Sequence, residues 1–456
     1  MTGIPLIIAF IIAIIIMIVM ISKLKIHPFL SIMLVALVFA MVAGIELVKI
    51  PDIIGDGFSS TFKSIGIVII LGALVGTLLE KTGAALKMAD VVVKLVGKNH
   101  PEAAMLIMGW IVSIPVFCDS GFVILNPIRK ALVKRTGRSS VASTVALSMG
   151  LYISHCFIPP TPGPIAAANT LYEQGLNIEA NLLLVMGIGA LASILPLIAG
   201  YAYAMFIGKK VRAKDEADMA QEGEVVKTYE ELVASYGKLP SAFMSFAPIV
   251  IPIFLMGLAS AFSMAGINVP IVTFLGKPIM ALAVGVVFGV ILLAQAGKMG
   301  EFHKLTDDTL KVTGPILFVT GAGGVLGKVI ASTDLVPFIQ ANADSLSSLG
   351  LIFPFLIAAI LKTAQGSSTV ALTTTAGIVA PLLGTLGLAT ELGAALVTIA
   401  IGAGAMTVSH ANDSYFWVVT NFGAMEVEDG YKTQTVGTLV IGVAAIINVL
   451  LISFLL

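Results

Sequence analysis

Residues 154–168 read SHCFIPPTPGPIAAA, and this stretch decides which folds the chain can adopt. Four prolines fall within six positions, so a continuous α-helix cannot pass through them. The surrounding residues, 141–172, are nevertheless mostly apolar. Unwound backbone at membrane depth is tolerated only where it lines a protein cavity or a water-filled one. The stretch therefore predicts an interrupted crossing inside a larger membrane protein.

The composition places the whole chain in a membrane. Of its 456 residues, 58% are hydrophobic and 11% are charged, and the mean hydropathy is +1.04. Soluble globular proteins carry about 25% charged residues, so this chain must use lipid as part of its solvent. The formal net charge is zero, which excludes a nucleic-acid partner. The two cysteines, Cys118 and Cys156, are too few for a disulfide scaffold.

Hydropathy and length predict an all-α polytopic membrane protein, because about twenty apolar residues span the hydrocarbon core. The predicted full spans are residues 3–22, 28–45, 64–80, 182–208, 241–263, 276–295, 312–330 and 435–456. Residues 3–22 are interpreted as a span rather than a signal peptide, because no Lys or Arg precedes them. Interrupted crossings are predicted at 141–172 and 391–421, and re-entrant hairpins at 103–128 and 352–382.

The positions of lysine and arginine predict which loops face the cytoplasm, where these residues are enriched. Of the 26 lysine and arginine residues, 21 lie in loops that can share one side of the membrane. These loops are residues 22–27, 81–102, 129–138, 209–240, 296–311 and 422–434. The other five are predicted to lie outside: Lys49, Lys63, Lys277, Lys328 and Lys362. This layout requires each hairpin to enter and leave on one side, and it places both termini outside.

The two halves of the chain resemble each other. Residues 62–78 read FKSIGIVIILGALVGTL and residues 310–326 read LKVTGPILFVTGAGGVL, which aligns Lys63 with Lys311 and Gly66 with Gly314. The order of predicted elements also repeats, and the charge bias gives the halves opposite orientations. We therefore predict two inverted repeats at 1–208 and 241–456, joined by a cytoplasmic linker at 209–240. The alternative is chance similarity between apolar sequences.

Two polar clusters lie at membrane depth in the first half, where polar groups are costly and usually face a cavity. Residues 114–127 read IPVFCDSGFVILNP, and Asp119, Ser120 and Gly121 are predicted to form the first hairpin tip. Exposed N–H groups at such a tip can bind a carboxylate. The alternative is that Asp119 only caps a helix. Histidine side chains ordinarily titrate near neutral pH, so His155 is expected to carry a proton, or alternatively to bond a carbonyl between helices.

Two matching clusters lie in the second half. Residues 364–377 read AQGSSTVALTTTAG, and residues 402–419 read GAGAMTVSHANDSYFWVV. The first cluster is predicted to form the second hairpin tip, with hydroxyls that suit a polyol or a sodium ion. The alternative for its hydroxyls is close helix packing. The second cluster is predicted to be the break in the last crossing, and five polar side chains there favour a functional site.

The four clusters VFCDSGFVILNPI, SHCFIPPTPGPIAAA, AQGSSTVALTTTAG and SHANDSYFW resemble the gluconate permease family of gluconate:proton symporters. The resemblance runs nearly end to end. It implies a multi-pass protein of the bacterial inner membrane that forms a homodimer and works by an elevator-type motion. Relatives carry gluconate, idonate, glycerate or D-serine. The family often has histidine in the proline motif where this chain has Thr161, and this departure implies a preference for a different acid.

The resulting hypothesis is a secondary active transporter with alternating access, needing no cofactor and no metal. It carries a sugar-acid or hydroxy-acid anion, gluconate first, together with a proton. Expected substrate-binding residues are Ser120, Gly121, Thr161, Gly163, Gly366, Ser367, Ser368, Thr369, Ser409, Asn412 and Ser414. Candidate proton carriers are Asp119, His155, His410 and Asp413. The main alternative is a sodium-coupled carboxylate transporter, and an intramembrane enzyme is disfavoured because no catalytic motif is present.

Overall fold

A computed structural model describes residues 2–97, 100–213, 239–264, 267, 269–335, 338, 349–410 and 413–456. Most of the predicted linker at 209–240 therefore lies outside the described residues. Within the described ranges all regular structure is helical. The fold is that of an all-helical polytopic membrane protein.

The first half consists of ten helices with three interruptions that matter for the site. They are α1 (Ile4–Ser22), α2 (Pro28–Ala43), α3 (Ile50–Lys81), α4 (Ala84–Val96), α5 (Pro101–Val112), α6 (Cys118–Thr136), α7 (Ser140–Phe157), α8 (Pro162–Thr170), α9 (Leu182–Ala192) and α10 (Ile194–Ile207). A π-helical segment, Leu171–Leu176, extends α8. The interruptions separate α5 from α6, α7 from α8, and α9 from α10.

The described residues of the second half form nine helices. Its helices are α11 (Ala242–Met264), α12 (Pro270–Gly276), α13 (Pro278–Gln295), α14 (Phe302–Ala331), α15 (Ile352–Gln365), α16 (Ser368–Val379), α17 (Glu391–Ala405), α18 (Ser414–Phe422) and α19 (Val436–Leu455). Short helical segments at Met299–Glu301, Ala380–Leu382, Val427–Gly430 and Tyr431–Thr435 join some of them. In both halves a long helix is followed by a helix pair, a broken helix and a final span.

Seven stretches of the described residues are long and apolar enough to cross a membrane. They are Ile4–Ile21, Ser140–Leu176, Leu182–Ile207, Ala242–Ala259, Pro278–Gln295, Met299–Ala331 and Val427–Leu455. The most apolar window of Ser140–Leu176 is 100% buried, whereas that of Ile4–Ile21 is 29% buried. The broken crossing therefore lies inside the protein, whereas much of the surface of α1 is exposed.

Prolines set where the first crossing breaks. The unwound segment is only four residues, 158–161, between α7 and α8. Pro162 and Pro164 lie in the first turn of α8, where a proline removes no helical hydrogen bond. The unwound stretch is thus shorter than the proline-rich motif, and His155 belongs to α7.

The first helix pair turns earlier in the chain than predicted. Asp119, Ser120 and Gly121 lie in the first turn of α6, which begins at Cys118. The turn itself is residues 113–117, because Pro115 cannot continue α5 and the Ser113 hydroxyl donates to the Val116 carbonyl at 2.9 Å. The second pair turns at Gly366 and Ser367, inside the predicted tip.

Glycines bring matching helices close together in both halves. A Cβ on Gly150 of α7 would overlap the Leu106 carbonyl oxygen of α5, and one on Gly404 of α17 would overlap the Phe355 carbonyl oxygen of α15. Small residues allow such approach in membranes, where dispersion packing drives helix association. Each broken helix is therefore held against the first arm of its helix pair.

We predict that Gly150→Ala and Gly404→Ala each destabilise the fold by about 1–3 kcal/mol, because the added methyl group meets backbone that cannot move aside. Gly187→Ala is the matched control, since no atom lies within 4 Å of a Cβ at that position in α9. Thermal unfolding in detergent, followed by a thiol-reactive dye, reports exposure of Cys118 and Cys156, which are both buried. Equal melting temperatures for all three variants would contradict this packing.

Candidate functional site

A cavity of about 290 Å³ joins residues from both halves of the chain. Its walls come from the start of α6, from α7, from the turn between α15 and α16, and from the start of α18. The lining residues are Phe117, Cys118, Asp119, Tyr152, His155, Gly366, Ser367, Ser368, Thr369, Asp413, Ser414 and Tyr415. Its volume lies near the lower end of the range for small-molecule sites.

Three helix N-termini meet at this cavity. The helices α6, α16 and α18 begin at Cys118, Ser368 and Ser414, and all three residues line it. Each helix start carries N–H groups without an intrahelical partner and a partial positive charge. Ser367 caps α16 and Asp413 caps α18 by accepting backbone N–H bonds, whereas Phe117 gives α6 no side-chain cap. The arrangement suits an anion.

Asp413 is the centre of a buried hydrogen-bond cluster. Its Oδ2 accepts from Lys362 Nζ at 2.7 Å, from the Tyr152 hydroxyl at 3.3 Å and from the Ser409 hydroxyl. Its Oδ1 accepts from the Tyr415 backbone N–H at 3.0 Å. These four donors satisfy the carboxylate, so a charge can remain at this depth. The cluster ties α15, α7 and α18 together.

Lys362 is a member of the Asp413 cluster that the sequence analysis did not predict as a site residue. The sequence analysis counted it only among the five basic residues on the outer side of the membrane, whereas the structure buries its side chain, which is 0% exposed and paired with Asp413. Its ammonium also donates to the Gly366 carbonyl at 2.5 Å. A charged lysine in an apolar run, 352–382, was a signal that could have identified it, because intramembrane lysines are usually paired and functional.

Asp119 faces the cavity from the first turn of α6. Its Oδ1 accepts from the Ser414 hydroxyl at 3.2 Å, and its Oδ2 from the Cys118 thiol at 3.7 Å. Neither partner is a cation. An anion that enters the cavity therefore meets an acidic group whose contacts to Ser414 and Cys118 do not neutralise it.

His155 is packed between two aromatic rings at the cavity wall. Its ring lies parallel to that of Tyr152, with an interplanar angle of 5° and centroids 6.4 Å apart, and 6.1 Å from the centroid of Phe117. It is 4% exposed, and its Nδ1 has no hydrogen-bond partner. The ring thus keeps one polar atom that a ligand or a proton could engage.

Several predicted residues lie around the cavity rather than in its wall. The Thr161 hydroxyl donates to the carbonyls of His155 and Ile158, at 3.1 and 2.7 Å, and so closes the break between α7 and α8. A Cβ on Gly163 would meet Leu372 of α16, so this glycine serves packing. His410 Nε2 bonds the Thr363 carbonyl at 2.8 Å.

Some of the remaining predicted residues line the cavity, and the others lie around it. Gly366, Ser367, Ser368, Thr369 and Ser414 line the cavity, together with Asp119, His155 and Asp413. Gly121 packs against Leu151, and Ser409 reaches the cluster through its bond to Asp413. The backbone of Ser120 lies in α6, but its side chain is outside the described atoms, and Asn412 lies outside the described residues.

Aromatic residues were missed as parts of the site. Phe117, Tyr152 and Tyr415 line the cavity, and the rings of Tyr152 and Tyr415 lie 5.1 Å apart. Tyr415 also donates its hydroxyl to the Ser148 carbonyl at 3.1 Å. Aromatic residues are common in any apolar sequence, so their positions alone carried no signal.

A second, larger cavity of about 780 Å³ lies apart from these motifs. Its lining includes three lysines, Lys63, Lys277 and Lys328, and two acids, Glu173 and Glu179. Lys277 Nζ lies 3.9 Å from a Glu179 carboxylate oxygen. The lysines come from α3, from α14 and from the residue before α13, whereas the acids come from the π-helical segment Leu171–Leu176 and the residues after it. The cavity contains none of the helix N-termini described above.

Comparison with known proteins places the chain among permeases. The family model for "GntP family permease" matches residues 4–455. The chain is 34% identical to an uncharacterized permease of Haemophilus influenzae, over 96% of this chain and 89% of that protein. It is 29% identical to a gluconate permease of Zymomonas mobilis, over 95% of both chains.

The fold is similar to that of a solved transporter. MtrF of Neisseria gonorrhoeae, of a class of antimetabolite efflux pumps, aligns with a TM-score of 0.67 and 15% sequence identity. The alignment covers 95% of this chain and 96% of that one. Because the sequence identity is low, this comparison supports a similar fold and nothing about function. The family match over nearly every residue is decisive, and the chain belongs to the GntP permease family of inner-membrane transporters, which are not enzymes.

Proposed function

We propose that this permease imports a small hydroxy-acid monoanion, gluconate first, together with a proton. The observation that carries the proposal is the meeting of three helix N-termini, at Cys118, Ser368 and Ser414, in one cavity. The substrate carboxylate docks there, held by backbone N–H groups and helix dipoles. The hydroxyls of Ser367 and Thr369 line the same cavity and can bond a polyol chain.

Asp119 is the proposed carrier of the coupling proton. It lines the cavity without a cationic partner among its contacts, whereas Asp413 is paired with Lys362. Two like charges in a cavity of low dielectric repel strongly. An anion therefore binds well only when Asp119 is protonated, and both must cross together. His155 is the second candidate, because its Nδ1 is unpartnered at the same wall.

Uptake into proteoliposomes tests the function. Labelled gluconate, idonate, glycerate and D-serine are offered under an inward proton gradient without sodium. The proposal expects accumulation of at least one, with gluconate preferred, and its loss when an uncoupler is added. Uptake that requires sodium and does not depend on the proton gradient would instead support the sodium-coupled alternative.

We also propose that the halves are inverted repeats and that α5–α6 and α15–α16 are re-entrant hairpins. The repeated order of elements supports this. The charge bias supports it further, because loops that can share one side of the membrane hold 21 of the 26 lysine and arginine residues. The family resemblance adds a homodimer and an elevator-type motion to the proposal.

We predict that Asp119→Asn abolishes accumulation driven by a pH gradient but preserves exchange of internal for external substrate. The amide keeps the shape of the side chain and mimics the protonated acid, so the loaded carrier can still cross in both directions. Counterflow and gradient-driven uptake are measured side by side. Asp308→Asn, whose carboxylate contacts Lys311 on the surface at 3.2 Å, is the control and should change neither. Normal accumulation by Asp119→Asn would remove Asp119 as the carrier.

We predict that uptake does not respond to membrane voltage. One monoanion moving with one proton carries no net charge, whereas each net charge moved would change the free energy by about 2.3 kcal/mol per 100 mV. Potassium gradients with valinomycin set the voltage at constant pH in both compartments. Faster uptake at a negative interior would indicate a second proton and contradict a one-to-one ratio.

We predict that the helices α3 and α14 begin on opposite sides of the membrane if the repeats are inverted. Lys49 precedes α3 and Lys304 lies in the first turn of α14, and both are exposed. A membrane-impermeant maleimide should label Lys49→Cys in intact cells, and Lys304→Cys only after permeabilisation. Labelling of both variants from the same side would show that the two repeats have one orientation.

A further inference from the structure

The ammonium group of Lys362 occupies a site built from oxygen atoms. It lies 2.5 Å from the Gly366 carbonyl oxygen and 2.7 Å from Asp413 Oδ2, and that carboxylate oxygen also accepts from the Ser409 hydroxyl. The side chain of Lys362 is 0% exposed. A carbonyl oxygen and a carboxylate oxygen at these distances are hard ligands, of the kind that bind metal cations such as sodium.

The position of this site in the fold is that of an ion site in many transporters. Gly366 ends α15 in a left-handed conformation, with φ of 92°, and so leaves carbonyl groups of the last turn pointing away from the helix. Asp413 ends the break between α17 and α18. Ends of half-helices and unwound carbonyls are where secondary transporters coordinate sodium or protons.

The sequence explains how a lysine reaches this site. Lys362 lies four residues before Gly366, so its side chain can run along the last turn of α15 to that helix's own C-terminus. The negative end of the helix dipole attracts a cation there. Asp413 then supplies a full counter-charge from the facing break. The cation is therefore part of the protein and never has to be captured from solution.

We propose that Lys362 is a tethered cation that takes the place of a bound sodium ion between the second helix pair and the last crossing. The inference rests on the proposed transport function in one respect: it assumes that the second helix pair and the break before α18 take part in transport. It assigns Lys362 a positioning role, in which a permanent internal charge holds Asp413 and the turn at Gly366 in place. A sodium ion is then neither needed nor accommodated, and a proton is left as the coupling ion.

The test asks whether removing the lysine creates a sodium site. Lys362→Ala vacates the space and leaves the Gly366 carbonyl oxygen and the Asp413 carboxylate oxygen behind. Melting temperatures are measured in sodium chloride and in equal choline chloride at about pH 8, where protons compete weakly for a freed carboxylate. Sodium should raise the melting temperature of Lys362→Ala by about 3 °C and leave the wild type unchanged.

Two variants separate a sodium site from a general salt effect. Lys362→Arg keeps a permanent cation and should show no sodium response. Lys432→Ala removes a lysine from an exposed pair with Asp429, at 3.2 Å, and should also show none. A sodium response in either variant equal to that of Lys362→Ala would overturn the proposal, as would stabilisation of the wild type by sodium.

Recovery of folded protein provides a second readout. If Lys362→Ala is unstable, the proposal expects it to be recovered when extracted and purified in sodium, and lost in choline. Loss in both salts contradicts the proposal, because sodium should replace the ammonium. Both stability measurements are made without substrate, so a wrong substrate assignment does not affect them. Failure of wild-type uptake alone would contradict the proposed function but not the role of Lys362.

Discussion

Backbone groups at membrane depth need hydrogen-bond partners, and this constraint governs the centre of the molecule. Each helix that starts inside the protein exposes N–H groups that lipid cannot satisfy. The chain starts three such helices, α6, α16 and α18, around one cavity. Two of them are capped by their own residues, Ser367 and Asp413, and the start of α6 has no side-chain cap. A transported anion can accept hydrogen bonds from the N–H groups at the start of α6 that no side chain caps.

The buried pair of Lys362 and Asp413 fixes the geometry around that cavity. Breaking such a pair by removing one partner costs about 3–5 kcal/mol, because it leaves an uncompensated buried charge. The pair joins α15 to the start of α18, and Tyr152 brings α7 to the same carboxylate. Elements that are far apart in sequence are thus held by one oxygen atom, Asp413 Oδ2. Any movement of the second helix pair must carry this contact along or break it.

Much of this could be predicted from the sequence because lipid imposes simple rules on it. Apolar runs identified the helices, and the prolines from Pro159 to Pro164 identified the break, since both follow from backbone hydrogen bonding. The polar clusters led to most of the cavity wall, including Asp119, Ser368 and Asp413. The position of the first turn was wrong by a few residues, because Pro115 ends α5 before the polar residues begin.

The remainder depended on three-dimensional contacts that no local pattern encodes. The pairing of Lys362 was missed because a charge count treats every lysine as solvated, and its partner Asp413 lies 51 residues away. Thr161 was expected to contact substrate, but its hydroxyl bonds two carbonyls of its own loop. Tyr152 and Tyr415 could not be distinguished from ordinary apolar packing. Whether each of these residues lies in the cavity wall or serves packing depends on its burial and its hydrogen-bond partners, which residue type does not reveal.

A structure determined with gluconate bound tests the central claim most directly. The account predicts that the substrate carboxylate lies against the N-termini of α6, α16 and α18, with its polyol chain toward the hydroxyls of Ser367 and Thr369. Density for the substrate in the larger cavity instead, beside Lys63, Lys277 and Lys328, would contradict it. In that case lysine side chains rather than helix N-termini would be the anion-binding element of this permease.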